Sequence, residues 1–298
     1  MASTKNPAES AIVITGASTG IGRAAALYFA QKGHPVFAGV RSEQDADSLK
    51  AESGLEATRN NLHPLRLDIT DQPQITAAAQ TVQKALNGKP LAGLVNNAGI
   101  VVSGPLECLS IDELKRQFYI NVFGHIAVTQ AFLDLLRPTE THAAGRIANI
   151  SSIAGRNTLP FVAPYSASKF ALNVFSEGFR MELAPWGIHV AIIEPGSIAT
   201  PIWPKALAQA EARVTNWPAE KLARYKTVLE KVRALSQNTA NRGIAPQAVV
   251  NAIEHALFAP HPKNRYLVGN DAHLRAWLTR LPDNIKEALI LRRLRYPS

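Results

Sequence analysis

The chain has 298 residues, 46% hydrophobic, 18% charged and 7% aromatic, which excludes intrinsic disorder, a collagen-like repeat and a coiled coil. No run of 18 uninterrupted apolar residues occurs, the N-terminus lacks an apolar signal core, and the single cysteine, Cys108, forms neither an internal disulfide nor a thiolate metal cluster, so a soluble cytoplasmic protein without a metal site is expected. Of the net charge of +9, five charges fall from Lys263 to the end, where eight basic residues meet three acidic ones; no basic run is interleaved with aromatics, and no nucleic-acid partner is expected.

Short β-branched runs alternate with Ala-rich helical patterns through the first two thirds of the chain. Strands are predicted at residues 11–15, 35–40, 64–67, 91–95, 146–150 and 188–193, with a last short one at 265–268. A helix is predicted from Gly20 to Lys32, stopped by Gly33, and longer ones at 111–136 and 163–183. Such alternation implies an α/β fold: a Rossmann-type doubly wound parallel sheet covered by helices on both faces. No Pro/Gly/Ser-rich linker interrupts it, so residues 1–298 read as a single domain. Residues 200–242 are polar and helical and read as a substrate-loop insertion over the sheet edge; 245–258 reads as a covering helix. Residues 263–298 form a basic C-terminal extension in which Leu274, Trp277, Leu278 and Leu281 have the spacing of an amphipathic helix.

Directly after the first strand runs Thr15-Gly16-Ala17-Ser18-Thr19-Gly20-Ile21-Gly22. Glycines let a backbone turn tightly and approach a pyrophosphate, which then rests on the free N–H groups and positive dipole end of the following helix. A Gly-rich turn between a strand and a helix is the plain alternative, but its place after the first strand favours a dinucleotide site. About 20 residues on, at the end of the second strand, such folds select the ribose. Here stands Arg41, a guanidinium suited to a 2′-phosphate, so NADP(H) is expected over NAD.

Tyr165 and Lys169 lie one helical turn apart on one face. A tyrosine is a poor base near neutrality, and a neighbouring cation lowers its pKa into a usable range. Ser151-Ser152 follows the fifth strand, at the carboxyl end of the sheet where ligands bind, so Ser152 is placed to polarise a carbonyl.

Together these motifs resemble the short-chain dehydrogenase/reductase family over residues 10–200. The glycine loop matches its cofactor loop (Gly16, Ser18, Thr19, Gly20, Ile21, Gly22), Asn96-Asn97-Ala98-Gly99 its Asn-Asn-Ala-Gly motif, and Tyr165 with Lys169 its active-site pair. Further matches are Asp68 for adenine, Asn121 for a water in the proton relay, and Pro195-Gly196 through Ile198 to Thr200 for the nicotinamide carboxamide. One departure is Thr19, where some NADP-preferring members carry a basic residue.

The resemblance implies that Tyr165 exchanges a proton with a carbonyl or alcohol held by Ser152, that Lys169 binds the nicotinamide ribose and depresses the tyrosine pKa, and that Asn121 links Lys169 through water to solvent. Ile202, Trp203, Leu207, Trp217, Leu159, Phe161 and Val162 favour a lipophilic ketone or alcohol, and the 194–203 segment with the long tail is most similar to the hydroxysteroid and retinol dehydrogenase-like branch. The resemblance also implies a homo-oligomer, a dimer or tetramer, assembled through the Tyr/Lys helix. The basic tail is expected to dock on its own domain or a subunit, with peripheral contact to an anionic membrane as the other setting. The competing functions are an NAD(P)-dependent epimerase or dehydratase and a catalytically idle NADP-binding regulator.

Overall fold

The computed structural model describes residues 10–294 apart from positions 55, 215–216, 222, 226–228, 231–232 and 234–242. Seven parallel strands form one sheet: β1 (Ile12–Ile14), β2 (Val36–Val40), β3 (Leu62–Arg66), β4 (Gly93–Asn96), β5 (Arg146–Ile150), β6 (His189–Pro195) and β7 (Arg265–Val268), in the order β3-β2-β1-β4-β5-β6-β7. The doubly wound sheet expected from the alternation is therefore present, with strand bounds moved by one or two residues at most ends.

Strands buried on both faces are apolar at consecutive positions, because odd and even residues serve different layers. In β1, Ile12 and Ile14 face one core while Val13 faces the other; in β2, Val36, Ala38 and Val40 oppose Phe37 in the same way. The first layer is completed by α1 (Gly20–Gln31) and α9 (Gln247–Phe258), which supply Phe29, Ala30, Val250 and Ile253. The second is completed by α4 (Gln72–Leu86) and α6 (His125–Leu136), which supply Ile75, Val82, Phe132 and Leu136.

Two short helices, α2 (Glu43–Glu52) and α3 (Glu56–Asn61), link β2 to β3. The long helix expected over 111–136 is continuous but not uniform: α5 (Ile111–Phe118) opens with a full Ser110/Glu113 capping box, and a π-helical turn, Tyr119–Gly124, separates it from α6. The helix α7 (Ala163–Glu182) carries Tyr165 and Lys169. Of the expected 200–242 insertion, α8 (Ile202–Val214) is the main described element, and much of the remainder lies outside the described residues.

The C-terminal extension holds two helices, α10 (Asn270–Leu278) and α11 (Asp283–Leu294), where the spacing predicted one amphipathic helix through 274–281. The expected apolar face is not packed inward: Leu274 and Trp277 are more than half exposed, as α10 turns Ala272 to the body instead. The extension is docked on its own domain at α10, through Ala272, Asp271 and Arg275, whereas Ile285, Leu289 and Leu291 of α11 are exposed.

Candidate active site

The order of the strands reverses at β1, whose neighbours are β2 on one side and β4 on the other, and a crevice opens at the carboxyl ends of these strands. Its floor is built by the residues that follow β1 and β4. The Thr15 hydroxyl accepts from the backbone N–H groups of Asn97 (2.9 Å) and Ala98 (3.1 Å), and the Asn97 side-chain amide donates to the carbonyls of Thr15 (2.9 Å) and Gly16 (3.1 Å). The two turns are thereby clamped together. Gly16 has φ +66°, and a Cβ there would stand 2.7 Å from the Ala98 Cα; a Cβ on Gly22 would stand 2.4 Å from both the Gly16 carbonyl oxygen and the Asn97 amide nitrogen. These two glycines are required by space.

The helix α1 starts at this clamp. Thr19 occupies its N-cap without making a side-chain capping bond, and its first turn has no acidic residue. The first-turn N–H groups, which α2, α4 and α5 satisfy with the capping oxygens of Ser42, Asp71 and Ser110, are left for a ligand with negative charge.

A cavity of about 700 Å³ extends from this point in both directions. One end is bordered by Arg41 and by Asp68, whose carboxylate is fixed by the N–H (2.9 Å) and hydroxyl (2.7 Å) of Thr70. Of the two carboxylates that follow Arg41 most closely in sequence, Glu43 is exposed and Asp45 accepts from Ser42 at 2.9 Å within the α2 cap. The other end is bordered by Ser152, Tyr165, Lys169, Pro195, Gly196, Ile198 and Thr200. Gly16, Ser18, Thr19, Gly20, Ile21, Asn97, Ala98 and Gly99 border the middle. The chain segments expected to form one site are thus brought together, with two exceptions. Gly22 lies outside the cavity lining, where it admits the Gly16 carbonyl and the Asn97 side-chain amide. Asn121 is buried and makes bonds to Ile100 through both ends of its amide and to Ser168 (3.2 Å), so it braces the loop after β4 and the turn before Lys169.

Tyr165 is 6% exposed, in T-shaped contact with Trp203 of α8 at 5.9 Å. Burial pushes its phenol up from the ordinary tyrosine value, against a hydrogen bond with Ser152 and the positive charge of Arg275. The net direction is opposite to that expected from Lys169. Burial holds the Lys169 ammonium itself down to about 7, and its Nζ donates to the Ile150 carbonyl at 2.8 Å and stands 5.9 Å from the Tyr165 ring centre.

The apolar wall is narrower than expected. Ile202 and Trp203 border the cavity, together with Val101 and Ala206, while Leu159, Phe161, Val162, Leu207 and Trp217 do not. The segment around Gly104 intervenes: its N–H donates to the Phe161 carbonyl at 2.8 Å, and Trp217 packs over it. Phe161 sits at φ +68° in this turn and faces Tyr225 instead.

The sequence profile of the short chain dehydrogenases matches residues 10–211. The chain belongs to the short-chain dehydrogenase/reductase family. It is accordingly an oxidoreductase acting on CH–OH groups. It is 33% identical over 285 residues to an NADPH-dependent 3-dehydrocapnine reductase of Ornithobacterium rhinotracheale (95% of this chain, 96% of that one) and 36% identical over 295 residues to human retinol dehydrogenase 5 (95% and 89%). A short chain dehydrogenase from Burkholderia cenocepacia solved in complex with NADP superimposes with a TM-score of 0.68 at 26% identity, covering 97% of this chain and 98% of that one. The retinol dehydrogenase-like branch indicated by the 194–203 segment and the tail is among these relatives.

Several residues around the site of this dehydrogenase/reductase escaped the sequence motifs. Glu194 is fully buried beneath the turn that follows Ser152, and it is held by Arg156 through a bidentate pair (2.6 and 2.9 Å), by Arg265 (2.9 Å) and by Asn173 (3.2 Å). A buried carboxylate so fully partnered fixes the turn rather than reacting. Lys115, Arg116 and Tyr119 of the α5 region and Lys205 of α8 border the cavity and make its rim basic. Their only sequence signal was membership in helices on either side of the crevice.

Proposed function

We propose that this short-chain dehydrogenase/reductase interconverts a carbonyl and an alcohol on a lipophilic small molecule with NADP(H) as the redox partner. The observation that carries the reading is the convergence of Ser152, Tyr165 and Lys169 on one cavity that also reaches the capless start of α1 and Arg41. The residues present fit a dinucleotide: the uncapped N–H groups of α1 suit a pyrophosphate, the clamp at Gly16 and Gly22 suits close backbone approach, and Arg41 suits a 2′-phosphate. When bound, such a cofactor supplies or accepts hydride. Asp68 would contact adenine, Lys169 the nicotinamide ribose hydroxyls, and the Pro195–Thr200 segment the carboxamide.

The chain's own part is positioning and proton transfer. Ser152 donates to the substrate oxygen and draws charge onto it. The Tyr165 phenol gives its proton to that oxygen as the alkoxide develops, and takes it back in oxidation. Burial favours the protonated phenol, the form that reduction uses. The Lys169 cation stabilises the phenolate left behind, and Asn121 aligns the π-helical turn through which the proton is replaced from solvent. Trp203, Ile202, Val101 and Ala206 exclude water and select an apolar substrate.

The assembly proposed is a homo-oligomer in a cytoplasmic setting. Phe170, Val174, Phe175 and Met181 leave the outer side of α7 with large exposed apolar groups, a surface that a second copy would cover. The test of the catalytic reading is NADPH consumption, followed by nicotinamide absorbance, across a panel of ketones, with Tyr165→Phe as the comparison. Turnover by the parent and a loss of about 10²-fold or more in Tyr165→Phe with NADPH binding retained are expected. Full activity in Tyr165→Phe would refute it.

A further inference from the structure

The family match ends at residue 211, yet a later helix grips the site from behind. Asp271, in the first turn of α10, accepts two bonds on one oxygen, from the Ser197 N–H (2.8 Å) and the Ser197 hydroxyl (2.7 Å). Ser197 lies in the Pro195–Thr200 segment that borders the cavity. Two glycines make room for this carboxylate: a Cβ on Gly196 would stand 2.2 Å from Asp271 Oδ1, and a Cβ on Gly269, whose φ is +101°, would stand 2.8 Å from it. The wedge is therefore built from both strands' ends, since the Gly196 N–H also donates to the Val268 carbonyl at 2.9 Å.

One helical turn further, Arg275 donates to the Asn157 side-chain carbonyl at 3.0 Å. Asn157 is buried in the loop that continues from Ser152 through Arg156. Residues four apart share a helix face, so one face of α10 holds both walls of the reacting end of the cavity.

We propose, on the catalytic reading given above, that α10 is a positioning element of the active site, in which Asp271 fixes the Pro195–Thr200 segment for the cofactor and Arg275 fixes the Asn157 loop that continues from Ser152.

The experiment uses the full chain carrying Asp271→Ala, Arg275→Gln or Arg275→Lys. NADPH affinity, read by fluorescence of the bound nicotinamide, is expected to fall about tenfold in Asp271→Ala, the share of one charge-assisted bond, with the circular dichroism spectrum retained. Should Asp271→Ala fail to fold, Ser197→Ala, which removes the hydroxyl bond alone, is expected to weaken NADPH binding in the same direction. For Arg275, kcat/KM with NADPH is expected to fall about tenfold in Arg275→Gln, and Arg275→Lys, which keeps a cationic donor for Asn157, is expected to recover part of the loss. Unchanged NADPH affinity in the folded Asp271 or Ser197 variant, or equal kcat/KM in the parent and Arg275→Gln, would overturn the proposal. Either failure leaves the Tyr165→Phe result untouched, so it is distinguishable from failure of the catalytic reading.

Discussion

Lys169 and Tyr165 share a helix face but not a direct bond: the lysine Nζ is held at 2.8 Å by the carbonyl of Ile150, with the tyrosine ring centre 5.9 Å away. In this form each of the two groups is dominated by burial, which disfavours both the ammonium and the phenolate. The folded protein thus binds fewer protons at Lys169 than the unfolded chain does between about pH 7 and the ordinary lysine value of 10.5. Stability rises with pH wherever the unfolded state holds more protons, by at most about 1.4 kcal/mol per pH unit for one group. The cofactor-free protein should gain stability toward alkali across this window, and urea denaturation at pH 7 and 9 should show Lys169→Met without that component of the gain. Parallel pH dependence in the two proteins would count against the assigned environment of the lysine.

The clamp between the β1 and β4 turns makes a sharper claim about Gly22. An alanine there would force its methyl against the Gly16 carbonyl and the Asn97 amide, both of which the clamp holds in place. Overpacking of this kind costs about 1–3 kcal/mol. Gly22→Ala should lower the melting temperature by several degrees and weaken NADPH binding, although Gly22 itself does not border the cavity. Gly88→Ala, at a site where a Cβ meets no atom within 4 Å but φ is +83°, is the control for backbone strain without a clash.

Arg41 is exposed at the cavity rim; of the acidic residues that follow it, Glu43 is exposed and Asp45 is occupied within the α2 cap. A charge-assisted contact to a 2′-phosphate is worth about 1.5–3 kcal/mol, so Arg41→Ala should lower kcat/KM for NADPH by about 10- to 100-fold and leave that for NADH nearly unchanged. Steady-state kinetics with both cofactors decides it; equal losses for the two would assign the preference to other rim residues such as Arg116 or Lys115.

What was legible in the sequence was whatever is short-range. The strand runs and glycine turn are read within a dozen residues, and Tyr165 and Lys169 within one helical turn, so the sheet and the segments lining the cavity were recoverable from residue order. The Asp271 to Ser197 and Arg275 to Asn157 contacts span 74 and 118 residues, and nothing in the local pattern of α10 announces them. The spacing of Leu274 and Trp277 was visible, but periodicity identifies an apolar face without saying what meets it, and here it is exposed. Phe161 illustrates a third limit: a positive φ at a bulky residue depends on the fold around Gly104, so its side chain left the cavity that its apolar character suggested.

His125 carries the last prediction. Its Nε2 donates to the Ala98 carbonyl at 2.5 Å, which places the proton on Nε2 and leaves Nδ1, among the described residues, buried without a hydrogen-bond partner. Burial, with the nearby Lys169 charge, pushes its pKa down to about 3 from the ordinary 6.5. The unfolded chain therefore takes up a proton below about pH 6.5 that the folded chain refuses until about pH 3, and stability is lost as pH falls through that range. His125→Gln keeps an N–H donor for Ala98 and removes the titration. Carboxylates titrate in the same range in both proteins, so the quantity to measure is the difference in unfolding free energy between parent and variant at pH 6.5 and at pH 4.5. That difference should move in favour of His125→Gln as the pH falls; a constant difference would mean that the imidazole is solvated in the folded protein and the loop after β4 is open there.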